Sequence, residues 1–153
     1  MLAAGDKLPA IALQDSSGAP LDLTRFRGKP LVVYFYPKAD TPGCTTEAKD
    51  FTDLADAFAS AGVPVVAVSK DKPAKLAKFA EKHGLKVILA SDEEGSFCEA
   101  FGTWAEKKNY GKTYMGIVRS TFLVDGEGTI VRAWPTVKVK GHAQQVLEAI
   151  QAL

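Results

Sequence analysis

The chain has 153 residues, 46% of them hydrophobic and 24% charged, and its formal net charge is +1. These values are typical of one globular domain, residues 1–153, and they argue against the basic stripe of a nucleic-acid binder or a membrane-surface helix. No apolar run approaches the ~18 residues of a membrane span, and the N-terminus lacks the features of a signal peptide. The two cysteines are too few for a disulfide framework and indicate the reducing cytoplasm.

The predicted elements alternate between strands and helices along the chain. Residues 11–23, interrupted by Asp15-Ser-Ser-Gly18, are predicted to form a short β-hairpin, and the Lys-rich segment 106–112 a solvated loop. The other elements, in chain order, are strand 31–36, helix 42–60, strand 63–68, helix 73–83, strand 87–90, helix 93–101, strands 120–124 and 129–134, and helix 142–153. This order resembles the thioredoxin-like α/β sandwich, with a central mixed sheet and an N-terminal β-hairpin extension.

A strand, a short loop and a helix start meet around Cys44. Thr41 is a good N-cap residue and Pro42 suits the first helical position, so the segment is predicted to open a helix. The Cys44 sulfur then lies in the first turn, where unpaired N–H groups and the helix dipole favour the thiolate, which is the nucleophilic form. A cysteine that only filled space would not need this arrangement, and we therefore predict that Cys44 is catalytic.

The helix that follows places this sulfur at the end of an apolar face. Apolar residues recur at helical spacing, and Cys44 lies one turn before the first of them; they are Ala48, Phe51, Leu54, Ala55 and Phe58. Glu47 lies off this face, one turn into the helix, and is predicted to reach back toward the sulfur.

Two differences separate this segment from a dithiol reductase. Thioredoxin-like reductases carry Cys-x-x-Cys at this helix start, whereas here Thr41 occupies the first position and Cys44 the second. No partner sulfur is present at this site, which excludes a dithiol oxidoreductase. Arg119 also stands near the place where a thioredoxin has a proline, and a cation there is expected to stabilise an anion beside the sulfur.

The combination of Pro37, Thr41, Cys44 and Arg119 resembles the signature of the peroxiredoxins. Within them the chain is similar to the bacterioferritin comigratory protein (peroxiredoxin Q) group, and the segments that carry the likeness are 34–38, 41–47, 111–119 and 120–125. The resemblance implies an enzyme that reduces hydrogen peroxide and organic hydroperoxides at the expense of a thiol.

The resemblance also implies a role for each residue of the signature. Cys44 would attack the peroxide, while Arg119, the Thr41 hydroxyl and nearby backbone N–H groups would stabilise the transition state. Pro37 would shield the sulfur from water, and Glu47 would orient Arg119. No cofactor is implied, and His83 and His142 lack the neighbouring ligands of a metal site.

The fate of the oxidised sulfur depends on Cys98. The resolving cysteine that many members of the group carry is replaced by Lys49, and helix 73–83 contains no cysteine. Cys98, between Phe97 and Phe101, is predicted to be a packing residue. This favours a single-Cys mechanism with a thioredoxin or a glutathione/glutaredoxin-type reductant, and the family likeness favours a monomer. A two-Cys mechanism with Cys98 as the resolving residue stays open, as do a redox sensor or chaperone and a non-catalytic interaction module. For the Lys-rich segment 106–112, the alternative to a solvated loop is a docking site for the reductant.

Overall fold

Nine strands, five α-helices and one 3-10 helix (Leu23–Phe26) make up the computed structural model, which describes residues 1–153. The strands are β1 (Leu13–Asp15), β2 (Pro20–Leu21), β3 (Leu31–Phe35), β4 (Val65–Ser69), β5 (Ile88–Ser91), β6 (Trp104–Asn109), β7 (Lys112–Ile117), β8 (Ser120–Val124) and β9 (Ile130–Trp134). The helices are α1 (Pro42–Asp53), α2 (Ala55–Ser60), α3 (Pro73–His83), α4 (Ser96–Phe101) and α5 (His142–Gln151). None of these helices combines the length and apolarity needed to cross a membrane.

Seven strands form one mixed sheet in the order β2-β1-β5-β4-β3-β8-β9. The inner strands β3, β4 and β5 are parallel, and antiparallel strands flank them on both sides. The predicted N-terminal hairpin is confirmed as β1 and β2, which extend the sheet at one end. The predicted α/β architecture with a central mixed sheet is likewise confirmed.

Strand β3 separates two hydrophobic cores because its side chains alternate between the faces of the sheet. Tyr34 and Tyr36 belong to the core on one face, which also contains Cys44 and buried residues of α1, α3 and α5. Val33 and Phe35 belong to the core on the other face, together with Cys98 and the rest of the apolar side of α4. The two cysteines therefore lie on opposite faces of the sheet.

The helix predicted over residues 42–60 is in fact two helices. Leu54 leaves the helical conformation (φ −99°, ψ 8°), and its N–H bonds to the carbonyl of Phe51, three residues earlier. Phe51 and Phe58, on either side of this break, pack at 5.8 Å between ring centroids. Apolar spacing alone does not reveal this break, because the residues on both sides of it face the same core.

The prediction of a loop over residues 106–112 is wrong. Strands β6 and β7 form a two-stranded hairpin that pairs only with itself, and Tyr110 and Gly111 make its turn with positive φ angles of 51° and 76°. A two-residue turn in which both residues have positive φ matches the twist of the strands in a β-hairpin. Neither strand alternates between apolar and polar residues, so the sequence lacks the usual signal of a strand.

Candidate active site

The loop between β3 and α1 is fixed by two carboxylates. The Asp71 side chain accepts a hydrogen bond from the backbone N–H of Ala39 at 2.8 Å. Asp40 adopts a left-handed conformation (φ 63°), and its carboxylate contacts His83 at 2.8 Å and Lys82 at 3.0 Å. These contacts join the loop to β4 and α3, so the chain enters α1 in a defined position.

The first turn of α1 holds Cys44, which is only 2% exposed. Thr41 is at the N-cap position and Pro42 is the first helical residue, as predicted, but the Thr41 side chain does not cap the helix. Its hydroxyl donates instead to the carbonyl oxygen of Lys38 at 2.8 Å. With its proton engaged in this way, the Thr41 oxygen presents lone pairs to a ligand and is suited to accept a hydrogen bond.

Arg119 connects the cysteine to Glu47. It lies in the short link between β7 and β8, and its Nη2 atom donates to Cys44 Sγ at 3.3 Å. Its Nη1 atom donates to Glu47 Oε1 at 2.6 Å. The guanidinium therefore spans both groups with its fork, a geometry that a lysine would not reproduce.

Gly43 permits this approach of the guanidinium. A Cβ atom at this position would lie 3.3 Å from Arg119 Nη2, which is tighter than an ordinary van der Waals contact. The side chain of Arg119 is only 18% exposed, so it has little room to move aside. Gly43 thus lets the Arg119 guanidinium lie against the start of the helix.

Burial changes the acid–base behaviour of Glu47. Its side chain is 1% exposed, and this burial raises its pKa to about 7, although Arg119 acts in the opposite direction. Its second oxygen, Oε2, has no hydrogen-bond partner. The charges of Glu47 and Cys44 in turn raise the pKa of Arg119 in spite of its burial, so the guanidinium remains charged.

Comparison with known proteins agrees with this geometry. The AhpC/TSA family profile matches residues 4–133. Peroxiredoxin Bcp of Bacillus subtilis is 46% identical over 147 residues, which cover 96% of this chain and 94% of that relative. The chain belongs to the peroxiredoxins.

Two solved structures from Xanthomonas campestris are similar to this peroxiredoxin over nearly all of its length. Peroxiredoxin Q has a TM-score of 0.91 and 44% identity, with 97% of each chain covered. The bacterioferritin comigratory protein, studied for its alkyl peroxide reduction activity, has the same TM-score and identity over 97% of this chain and 98% of its own. The peroxiredoxin Q group inferred from the sequence is confirmed, as are the thioredoxin-like fold and the activity of a thiol-dependent peroxidase.

The structure brings together most of the residues predicted for the site. Cys44, Arg119 and Glu47 are in direct contact, and Thr41 directly precedes α1. Pro37 follows the carboxyl end of β3 and lines a cavity of about 400 Å³ beside the β6–β7 hairpin. This peroxiredoxin therefore places a cation and a helix N-terminus at one sulfur, with an acceptor hydroxyl at the N-cap of the same helix.

Cys98 is separate from this site. It is fully buried on the other face of the sheet, where its backbone N–H donates to Asp92 at 2.7 Å. Burial, reinforced by the Asp92 carboxylate, raises the pKa of the Cys98 thiol well above its usual range. A thiol in this environment is a poor nucleophile.

Lys107 is a neighbour of the site that the sequence interpretation missed. It lines the cavity beside Pro37, and its partial burial and the Arg119 charge lower its pKa, while the charge of Cys44 opposes that shift. Its amine is thus within electrostatic reach of the cysteine. Since the segment had been interpreted as a solvated loop, only recognition of the β6–β7 pairing would have indicated this position.

Proposed function

We propose that the chain reduces hydrogen peroxide and organic hydroperoxides by a single-Cys mechanism, with Cys44 as the nucleophile. The observation that carries this proposal is the contact of Arg119 Nη2 with Cys44 Sγ at 3.3 Å, at the N-terminus of α1. A cation and a helix dipole at one sulfur stabilise the charge that moves onto oxygen during attack.

The first step is attack of the Cys44 thiolate on the terminal oxygen of the hydroperoxide. The O–O bond breaks, the sulfur becomes a sulfenic acid, and the second oxygen leaves with the electron pair and takes up a proton to give water or an alcohol. The Thr41 oxygen accepts a hydrogen bond from the peroxide O–H, because its own proton is donated to Lys38. Arg119 donates toward the reacting oxygens, with Glu47 holding its orientation.

The second step regenerates the enzyme with an external thiol. This thiol attacks the sulfenic sulfur and expels water to form a mixed disulfide, and a second thiol attacks that disulfide and releases Cys44. Cys98 takes no part, because it is buried on the opposite face of the sheet and a disulfide requires Cα atoms within ~7 Å. Its place among the rings of Phe97 and Phe101 supports a packing role.

The reductant, the oligomeric state and the location of the protein follow from the same thiol chemistry. The reductant is a thioredoxin or a glutathione/glutaredoxin-type thiol, and the protein acts as a monomer in the cytoplasm, where such thiols are kept reduced. The alkyl peroxide reduction studied for the Xanthomonas relative supports organic hydroperoxides as substrates here.

Mass spectrometry of the intact chain tests the mechanism. After one equivalent of peroxide without reductant, the wild-type protein should gain one oxygen at Cys44 and react with a sulfenic-acid reagent. Cys44→Ser should abolish peroxide consumption, whereas Cys98→Ser should retain it with an external thiol. Loss of two hydrogens and a Cys44–Cys98 disulfide after digestion would refute the single-Cys mechanism.

A further inference from the structure

We propose that the β6–β7 hairpin is the docking surface for an acidic protein reductant of the thioredoxin type. The proposal rests on the proposed function, because it identifies the partner of the external-thiol step. The hairpin pairs with no other strand, and β7 leads within two residues into Arg119. A partner bound to the hairpin would therefore lie beside the oxidised cysteine.

The hairpin carries apolar side chains that nothing in the fold covers. Tyr110 is 97% exposed, Met115 50% and Tyr114 47%, and these are three of the six large hydrophobic residues exposed on the whole chain. Tyrosine and methionine are enriched at protein interfaces, and a cluster of them on one hairpin is more than the scattered exposure of an ordinary surface. Tyr110 lies at the turn, where a thiol small enough to enter the cavity beside Pro37 would not reach it.

The charge around this surface is strongly positive. Five lysines lie on the hairpin or face it across the cavity, against the two carboxylates Glu106 and Asp71; the lysines are Lys38, Lys70, Lys107, Lys108 and Lys112. Asp71 is itself paired with Lys75 at 3.3 Å. Because the whole chain has a net charge of only +1, this concentration of cations selects for a partner with carboxylates around its thiol.

Charge reversal on the hairpin tests the proposal against a matched control. The test variant is Lys108→Glu with Lys112→Glu, and the control is Arg27→Glu with Lys29→Glu. All four residues are exposed and none is in an ion pair, but Arg27 and Lys29 precede β3 and so lie at the end of that strand away from Pro37. Both variants replace two cations by two carboxylates, so they change the net charge equally.

Each protein is assayed for peroxide consumption with three reductants: a thioredoxin of net negative charge with its reductase, glutathione, and dithiothreitol. The hairpin variant should raise the KM for thioredoxin about tenfold at low ionic strength, since charges at the rim of an interface act mainly on association. This difference should shrink in 0.5 M salt, because exposed charges are then screened. Turnover with dithiothreitol and the rate of peroxide attack should match the wild type.

A second variant, Tyr110→Asn, tests the apolar contribution without straining the turn, because asparagine tolerates positive φ. It should also raise the KM for thioredoxin and leave turnover with dithiothreitol unchanged. The proposal is overturned if the hairpin and control variants behave alike with thioredoxin, if glutathione turnover falls as much as thioredoxin turnover, or if thioredoxin does not reduce the wild type. A wild-type chain inactive even with dithiothreitol would instead refute the proposed function, and the docking surface with it.

Discussion

Replacement of Glu47 by glutamine should remove a specific pH dependence of stability. Glu47 is buried against Arg119, and burial raises its pKa from 4.5 to about 7. Because this pKa is higher in the folded than in the unfolded chain, the protonated carboxyl favours folding. The resulting stability is fully present below pH 4.5 and is lost as the pH rises through 7.

The size of the effect follows from the shift. Each pKa unit corresponds to about 1.4 kcal/mol, so the rise from 4.5 to about 7 gives roughly 3 kcal/mol over the full window, most of it between pH 5 and 8. Glutamine keeps an oxygen that can accept from Arg119 Nη1 but does not titrate. The Glu47→Gln protein should therefore gain stability relative to the wild type by about that amount as the pH rises.

Urea unfolding of both proteins at pH 5 and pH 8 measures this difference. Comparison of the two changes removes the contribution of every other titrating group, including the buried His142. A double difference below about 1 kcal/mol would show that the Glu47 carboxyl ionises as a solvated group, and the account of its burial would be refuted.

Substitutions at three further positions test the site and the packing around it. Arg119→Ala should slow peroxide attack by about 10²–10³-fold, because a hydrogen-bond donor to the transition state is lost. Arg119→Lys should recover only part of the rate, since lysine lacks the forked geometry of the guanidinium. A wild-type rate of Arg119→Ala in a stopped-flow assay would contradict the placement of Arg119 at the reacting sulfur. Gly43→Ala should slow peroxide attack several-fold, because the added Cβ atom crowds the Arg119 guanidinium. It should not lower the melting temperature, since alanine is more favourable than glycine in a helix by about 0.5–1 kcal/mol. An unchanged rate of peroxide attack would show that the close contact between Gly43 and Arg119 does not matter. Burial lowers the pKa of His142 from 6.5 to about 4, so its contribution to stability is present above pH 6.5 and lost as the pH falls through 4. His142→Gln should flatten this acid limb in urea unfolding measured from pH 7 to pH 4, and an unchanged slope would argue against a buried neutral imidazole.

The sequence was sufficient for the parts of the fold in which periodicity and local signals agree. The helix over Pro73–His83 was predicted with its observed bounds, because a proline opens it and Gly84 ends it in a left-handed conformation. The strands of the central sheet were located to within two residues at their starts, since buried parallel strands are continuous apolar runs. The proximity of Cys44 and Arg119 came from resemblance, as no spacing rule connects residues 75 positions apart.

The parts that were missed depend on contacts that a sequence does not display. The β6–β7 hairpin is defined by pairing between two polar strands, and its relation to the site became visible only through Lys107. The Thr41 hydroxyl was expected to cap α1, but it donates to the Lys38 carbonyl. Both the helix N-terminus and this carbonyl are near Thr41, and the amino-acid sequence does not determine which of them the hydroxyl binds. The break at Leu54 is likewise not marked by a proline or glycine in the sequence, and the residues on both sides of it pack into one core.

The two steps of the catalytic cycle make opposite demands on the start of α1. Peroxide attack benefits from a fixed Cys44 beside Arg119, and a cysteine that is only 2% exposed is reached more readily by a small peroxide than by a protein thiol. The preceding loop is tied to Asp71 and through Asp40 to α3, whereas the first turn of α1 has no side-chain cap, an interaction typically worth about 1 kcal/mol. Local opening is cheapest where such contacts are fewest, so we expect the turn that carries the oxidised sulfur to open for the reductant while the loop keeps its place.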